Sequence, residues 1–218
     1  FPTLRCLEQI RNDACYHKAN VKIVTVGGGF SYGPLGMTHH ATEDLAIMRA
    51  LPNMTVISPG DPKEAGEATK AIYNKPGVCY LRLGRSGEPL IHKKDIDFEI
   101  GKAIELIEGD KIILFATGGL LKNAYEASKK LKNEGYDIGL YSMHTIKPID
   151  ENLIKRVSKK ADLILTIEEH NIIGGLGGAV AEVLSQTKNS PKLERIGLKE
   201  SFSSIVGDQE YLQDKYGM

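Results

Sequence analysis

Short apolar runs alternate along the chain with longer segments whose apolar residues recur every three or four positions. The apolar runs predict strands at 20–26, 54–58, 77–83, 111–117, 137–143, 161–167 and 192–198. The helical spacing predicts helices at 4–17, 42–50, 62–74, 120–133, 150–159 and 176–186. Strands that alternate with helices in this way indicate βαβ units. The pattern therefore predicts an α/β fold of two small domains, each with a mostly parallel sheet flanked by helices.

Local signals refine three of these elements. Asp61 supplies a capping carboxylate, a proline follows it directly, and Glu64 comes three residues after Asp61. This combination predicts the start of the third helix. Thr42 is the candidate cap of the second helix. The run 20–26 is apolar on both faces, which predicts a strand buried within a parallel sheet.

A polar stretch separates the two halves of the pattern. It carries glycine and proline, which is typical of a connection between domains. We therefore predict a first domain over 1–85, a linker over 86–98 and a second domain over 99–218.

The composition narrows the class of protein. The 28 basic and 28 acidic residues balance, which argues against a dedicated nucleic-acid-binding protein. The three cysteines show no C-x-x-C spacing, which is typical of reduced thiols. No apolar run approaches the roughly 18 residues that span a bilayer. We therefore expect a cytoplasmic protein that binds neither nucleic acid nor a membrane.

Glycines and two adjacent histidines mark the segment after the first predicted strand. Glycine lets the backbone turn tightly and approach a ligand, and His39 and His40 can transfer protons near neutral pH. A metal site with Glu43 and Asp44 at one-turn spacing is an alternative, but no further ligand cluster supports it. Surface histidines without a role are another alternative. We favour chemistry because ligands of such sheets bind beyond the carboxyl ends of strands.

Two further segments carry weaker signals. Arg82 and Arg85 flank the end of a predicted strand, where arginine can hold a phosphate or carboxylate or be a solvated cation. The segment 166–182 reads TIEEHNIIGGLGGAVAE and opens a predicted helix. Its glycines suit either an anion site at a helix start or a tight structural turn.

Several of these motifs together resemble one family. The segment THHATEDLAIMRALPNMTVISPGDPKE resembles the matching part of transketolases and deoxyxylulose-phosphate synthases. RCLEQIRND is similar to the helix before it, CYLRLGRSGEP to the strand that ends in the substrate arginine, and the segment 166–182 to the carboxyl-terminal domain. The chain is thus identified as a member of the transketolase family over nearly its whole length.

The resemblance implies an architecture and a cofactor. Residues 1–85 correspond to part of the pyrimidine-binding domain, which has the thiamine-diphosphate-binding fold, and 99–218 to the carboxyl-terminal domain, truncated at its end. The family uses thiamine diphosphate and a divalent metal, magnesium or calcium. The diphosphate domain that holds the metal, and the glutamate that activates the cofactor, are expected outside this sequence. The expected partner is a second copy of the intact enzyme or a separate subunit with the diphosphate domain.

The resemblance also assigns site residues. His39 matches the histidine that transfers protons at the reacting carbon, and His40 stands where relatives carry histidine or glutamine. Arg85 matches the arginine that binds the phosphate of a sugar phosphate. Phe1 and Arg5 fall near the aromatic wall around the pyrimidine. No residue of the chain is assigned to the metal.

The function implied is that of a transketolase-type transferase in carbohydrate metabolism, which moves a two-carbon ketol unit from a ketose to an aldehyde. Leu35 stands near the acid with which many transketolases contact a substrate hydroxyl, so ordinary pentose-phosphate specificity is not expected. The chain alone is expected to be inactive. Two alternatives stay open: a β subunit of a 2-oxo-acid dehydrogenase, and a non-catalytic dimerisation or regulatory module.

Overall fold

Two sheets organise the chain in the computed structural model, which describes residues 2–218 and leaves Phe1 outside them. The strands are β1 (Lys22–Val26), β2 (Met54–Ile57), β3 (Val78–Leu83), β4 (Ile104–Ile107), β5 (Ile112–Thr117), β6 (Ile138–Ser142), β7 (Thr145–Lys147), β8 (Leu163–Asn171) and β9 (Lys192–Leu198). The helices are α1 (Pro2–Arg5), α2 (Leu7–Gln9), α3 (Asp44–Ala50), α4 (Pro62–Asn74), α5 (Leu121–Asn133), α6 (Glu151–Val157), α7 (Leu176–Ser185) and α8 (Gln209–Tyr216), with a π-helical segment at Ile10–Tyr16. Among the residues described, no helix has the length and apolar character that crossing a membrane requires.

The strand order confirms the predicted α/β fold. The first sheet has the order β1-β3-β2-β7, in which only β7 is antiparallel to its neighbour. The second sheet has the order β4-β6-β5-β8-β9, in which only β4 is antiparallel. β7 comes from the second half of the chain yet completes the first sheet. The two halves are therefore joined by a common sheet as well as by the linker.

The three local predictions have different outcomes. Asp61 caps α4 as predicted, since its Oδ1 accepts a hydrogen bond from the backbone N–H of Glu64 at 2.8 Å. The prediction that Thr42 caps the second helix is wrong: α3 begins at Asp44, and the Thr42 hydroxyl donates to Glu43 instead. The prediction of a buried first strand is also wrong, because β1 is an edge strand with exposed valines.

One apolar core joins the two halves behind the histidine segment. Leu45 and Met48 of α3 belong to the same buried cluster as Ile164 of β8 and Val180 of α7. The backbone N–H of Asn171 donates to the carbonyl of Thr42 at 2.7 Å, directly before α3. Burial of this apolar surface fixes the start of α3, and with it the end of the histidine segment, against the second sheet.

Candidate active site

A cavity of about 840 Å³ opens beside the exposed edge strand β1. Its walls come from 2–5, 24–28 and 37–44, together with Tyr32, Ile47, Tyr80, Phe202 and Ser203. Val24 and Val26 are 52% and 58% exposed along it, although strand residues of this type are usually buried. The cavity thus combines an apolar floor with a polar wall, a lining that is typical of a small-molecule site.

The polar wall is a closed loop of the backbone. Residues 27–41, which we call the histidine loop, leave β1 and return, because Gly29 and Ala41 exchange backbone hydrogen bonds of 2.9 and 3.0 Å. Gly29 has a φ of +61°, and a Cβ atom there would lie 2.5 Å from Cδ of Glu169. Only glycine fits this position, so the close approach of the two halves depends on it.

The two histidines of the loop have different surroundings. His39 ends a 3₁₀ turn at Met37–His39, lines the cavity, and places its Nδ1 3.1 Å from the hydroxyl of Thr38. Nε2 of His40 lies 3.2 Å from the carbonyl oxygen of Gly33, so this nitrogen carries the proton. The His40 ring also packs edge-on against Phe30, with ring centroids 5.0 Å apart. His40 is therefore tied into the loop, whereas His39 stands at its rim.

A buried charge network supports the loop from below. The Arg82 guanidinium donates to Asp44 Oδ2 at 2.9 Å, to the carbonyl of Ala41 at 2.6 Å and to the carbonyl of Glu169 at 3.0 Å. Tyr80 donates to the same oxygen of Asp44 at 2.7 Å. Burial alone would lower the pKa of Arg82, but the carboxylate of Asp44 raises it, so the guanidinium stays charged. Arg82 thus holds the loop and is committed to contacts within the chain.

The second half of the chain reaches the loop through Glu169. One oxygen of this buried carboxylate accepts the backbone N–H of Phe30 at 2.9 Å, and the other accepts the side chain of Gln209 at 2.7 Å. Burial raises the pKa of Glu169, and the hydrogen bonds from Phe30 and Gln209 oppose that rise. The histidine loop is therefore linked to α8 through one side chain of β8.

The glycine-rich segment 166–182 forms a structural turn. Glu168 accepts the backbone N–H groups of Leu176 and Gly177 at 2.7 and 2.8 Å. A carboxylate of the chain itself thus occupies the start of α7, where an external anion would otherwise bind. Of the two interpretations of this segment, the geometry supports the tight turn.

The remaining candidate residues divide between the cavity and the surface. Arg5 is exposed and lines the cavity with its neighbours in 2–5. Arg85 is exposed on the loop after β3 and lies outside the cavity walls. Phe1 lies outside the described residues. Within residues 2–218, no group of three or more histidine, cysteine, aspartate or glutamate side chains is placed to hold a metal ion.

Sequence reasoning missed two residues that line the cavity from the second half, Phe202 and Ser203. They are more than 150 positions away from the histidine loop in the sequence. No periodicity or local spacing relates segments this far apart, because only the packing of the two halves brings them together.

A cavity at a sheet edge, with a histidine loop held by buried charges, defines a small-molecule site of an α/β protein. Family models identify which one: "Transketolase, pyrimidine binding domain" matches residues 1–88, and "Transketolase, C-terminal domain" matches residues 101–217. The chain belongs to the transketolase family.

Individual relatives agree with this assignment over the whole chain. A protein of Methanocaldococcus jannaschii named "Putative transketolase C-terminal section" is 40% identical, and the match covers 100% of this chain and 68% of the relative. One subunit of the apulose-4-phosphate transketolase of Phocaeicola vulgatus is 34% identical, with coverage of 100% and 69%. The solved structure "Split gene transketolase, inactive beta4 tetramer" superposes with a TM-score of 0.91 at 40% identity, covering 100% of this chain and 69% of that one. The chain is therefore similar throughout to the carboxyl-terminal section of split transketolases.

Proposed function

We propose that this chain is the pyrimidine-side subunit of a two-chain, thiamine-diphosphate-dependent transketolase. The complete enzyme would transfer a two-carbon ketol unit from a ketose or ketose phosphate to an aldehyde. The observation that carries the proposal is the cavity beside β1, which His39 lines together with the apolar edge of that strand. Relatives that are themselves named as single subunits of transketolases support a complex of two different chains.

The cavity fits the aminopyrimidine end of the cofactor. Val24, Val26 and Leu4 offer apolar contacts to the faces of a ring, while Thr25 offers a hydroxyl beside them. Thiamine diphosphate supplies an electron sink at which a bond next to a ketone carbonyl can break. Arg5, on the same wall of the cavity, is proposed to contact the cofactor. Phe1 is proposed as a cofactor-binding residue from the family resemblance alone, because it lies outside the described residues. The diphosphate and its divalent metal, magnesium or calcium, are assigned to the partner subunit.

His39 is proposed as the group that transfers protons to and from the substrate oxygens. Imidazole titrates near neutral pH, and the rim of the histidine loop gives it access to the cavity. His40 is proposed to act beside it by keeping the loop in place through Gly33 and Phe30. Arg85 is proposed to bind the substrate phosphate, and its exposed position leaves its guanidinium accessible.

The exposed edge of the first sheet supports a partner chain. Val24 and Val26 lie on an edge strand, where unpaired backbone groups and apolar side chains favour association. We propose that the diphosphate-bearing subunit covers this edge and closes the cavity over the cofactor. The chain alone would then be inactive. The domain limits 1–85 and 99–218, with the linker 86–98, belong to the same proposal.

A matched pair of histidine variants tests the proposal. His39→Ala and His17→Ala are prepared in the complex with the diphosphate-bearing subunit, and transfer from fructose 6-phosphate to glycolaldehyde is measured as formation of erythrose 4-phosphate. Loss of a proton-transfer group lowers kcat by about 10²–10⁴-fold, so His39→Ala should lose this much. His17 is exposed and outside the cavity walls, so its variant should retain activity. Equal activity of both variants would contradict the assignment and would favour a module without a catalytic role.

A further inference from the structure

The chain leaves β3 through residues 84–88, which we call the arginine loop. The backbone N–H of Gly27, the first residue of the histidine loop, donates to the carbonyls of Leu83 and Gly84 at 3.0 Å each. Gly27 also lines the cavity, so the arginine loop begins directly beside the cavity wall. Arg85 is the next residue after this junction, and its backbone is therefore tied to the loop that carries the histidines.

The side chain of Arg85 is available to bind an anion. It is exposed, and its guanidinium forms no hydrogen bond or ion pair with residues 2–218. Arg82, by contrast, is buried and paired with Asp44. A guanidinium binds phosphate through two parallel hydrogen bonds, and this geometry requires that the arginine is held in place. The contact of Arg85 with a phosphate therefore depends on what fixes the arginine loop.

Glu88 holds the arginine loop closed from within. Its carboxylate lies so close to Gly84 that a Cβ atom on Gly84 would collide with Oε1 of Glu88. The backbone N–H of Arg85 hydrogen-bonds to the same carboxylate. Gly87 has a φ of +94°, which lets the chain turn back between Arg85 and Glu88. The turn that presents Arg85 thus depends on the side chain of Glu88.

Glu88 packs beneath the histidine loop and outside the walls of the large cavity. With Gly28, Ser31 and Glu169 it lines a separate space of about 10 Å³. A space of this size holds no more than about one water molecule, so a sugar does not reach Glu88 there. Burial raises the pKa of Glu88, and the hydrogen bond from Arg85 opposes that rise. Both protonation states keep a carboxyl oxygen that can accept this hydrogen bond.

We propose that Glu88 is a positioning residue, which holds Arg85 where its guanidinium binds the phosphate of a phosphorylated ketose. The inference rests on the proposed function. Glu88 does not touch the substrate and acts through Arg85 alone. Without the Glu88 carboxylate the arginine loop would take several conformations, of which only some bring the guanidinium to the phosphate. Glu88 therefore determines how strongly the enzyme prefers phosphorylated to unphosphorylated donors.

Fructose 6-phosphate and fructose are a matched pair of donors for the test, which uses the complete two-chain enzyme with glycolaldehyde as acceptor. In both reactions the C2–C3 bond of the ketose breaks, and its first two carbons bond to the aldehyde carbon of glycolaldehyde to give erythrulose. The other four carbons leave as erythrose 4-phosphate or erythrose. The initial rate of erythrulose formation gives kcat/KM for each donor, and the ratio of the two values isolates the phosphate contact.

Four variants of this chain should change the ratio to different extents. Arg85→Ala should lower it by about 10- to 100-fold, because hydrogen bonds to a charged group are lost. Glu88→Ala should lower it by about tenfold, through KM for fructose 6-phosphate, and should leave kcat/KM for fructose unchanged. Glu88→Gln should keep most of the ratio, because its amide oxygen still accepts the N–H of Arg85. Glu99→Ala removes an exposed carboxylate outside the arginine loop and both cavities, so it should leave the ratio unchanged.

The double variant of Arg85→Ala and Glu88→Ala shows whether the two residues act as a unit. Because Glu88 acts through Arg85, the double variant should lower the ratio no further than Arg85→Ala does. The inference on Glu88 is overturned alone if Arg85→Ala lowers the ratio but Glu88→Ala leaves it unchanged or weakens both donors equally. A ratio that Arg85→Ala leaves unchanged would remove the phosphate from Arg85, and the inference with it. If the unmodified enzyme forms erythrulose from neither donor, the proposed function itself fails.

Discussion

Asp61 stabilises the junction between α4 and the linker, and its removal should be costly. Its Oδ1 caps α4 through the N–H of Glu64 at 2.8 Å. Its Oδ2 accepts hydrogen bonds from the backbone N–H groups of Ile91 at 3.0 Å and His92 at 2.9 Å, and it lies 3.1 Å from Nδ1 of the His92 side chain. Loss of a cap costs about 1 kcal/mol, and hydrogen bonds to a charged group contribute about 1.5 kcal/mol each at the low end. Because three bonds share one oxygen, we expect Asp61→Ala to lower the free energy of unfolding by about 4 kcal/mol.

Urea unfolding, followed by far-ultraviolet circular dichroism, measures this loss. With a slope of about 2.5 kcal/mol per molar urea, the midpoint should fall by about 1.5 M. Asp208 provides the matched control, because it caps α8 through a single N–H of Tyr211 at 2.8 Å. Asp208→Ala should cost about 1 kcal/mol. A midpoint shift for Asp61→Ala no larger than that of the control would refute the reasoning.

The pH dependence of the same variant gives a second check. Burial alone would raise the pKa of Asp61, but hydrogen bonds from His92 and from the N–H of Glu64 hold it well below its ordinary value. A carboxyl group with a lowered folded pKa contributes its stability above the unfolded pKa, about 3.9, and loses it as the pH falls through the folded pKa. The difference between the parent and Asp61→Ala should therefore shrink in acid as Asp61 protonates. Because the same carboxylate helps to raise the pKa of His92, the difference should also decrease as the pH rises through the folded pKa of His92.

Three further perturbations have definite expected results. Burial and the nearby charge of His92 lower the pKa of His144 to about 4, so stability should fall by up to about 3 kcal/mol as the pH drops from about 6.5 to about 4. His144→Gln should remove that part of the slope in urea titrations, and an unchanged slope would contradict it. Arg82→Met leaves Asp44 buried without its cation and should lower the free energy of unfolding by about 3–5 kcal/mol. Arg85→Met, the control, should leave it unchanged. Equal thermal midpoints of the two variants would be inconsistent with a stabilising buried pair. Gly29→Ala puts a side chain on a left-handed backbone position and against the carboxylate of Glu169. It should lower the free energy of unfolding by about 1–3 kcal/mol or more in the same assay. A loss near zero would show that the loop relaxes.

Local signals in the sequence predicted what local physics determines. The Asp61 cap is one example, because the carboxylate, proline and glutamate act within one helical turn. The alternation of strands and helices likewise predicted the α/β class. β4, β7 and α8 escaped the same reasoning: two are strands of three or four residues, and α8 has a weakly apolar face. Short elements of this kind are stabilised by their neighbours more than by their own pattern.

The position of a strand within its sheet depends on long-range pairing, and so does the second wall of the cavity. The sequence of β1, with its valines, is typical of an interior strand, but β1 lies at the edge of its sheet and pairs with β3 alone. Glu169 reaches the histidine loop and Phe202 reaches the cavity from far along the chain, and no local spacing marks either residue. His39 and Arg5 line the cavity, and their roles stay predictions.

The central claim is that this chain and a diphosphate-bearing subunit together form a transketolase. The most direct measurement is the formation of erythrose 4-phosphate from fructose 6-phosphate and glycolaldehyde, with thiamine diphosphate and magnesium, by each chain alone and by the two mixed. The account predicts product only from the mixture. Turnover by this chain alone, or no turnover by a mixture that forms a complex, would contradict it.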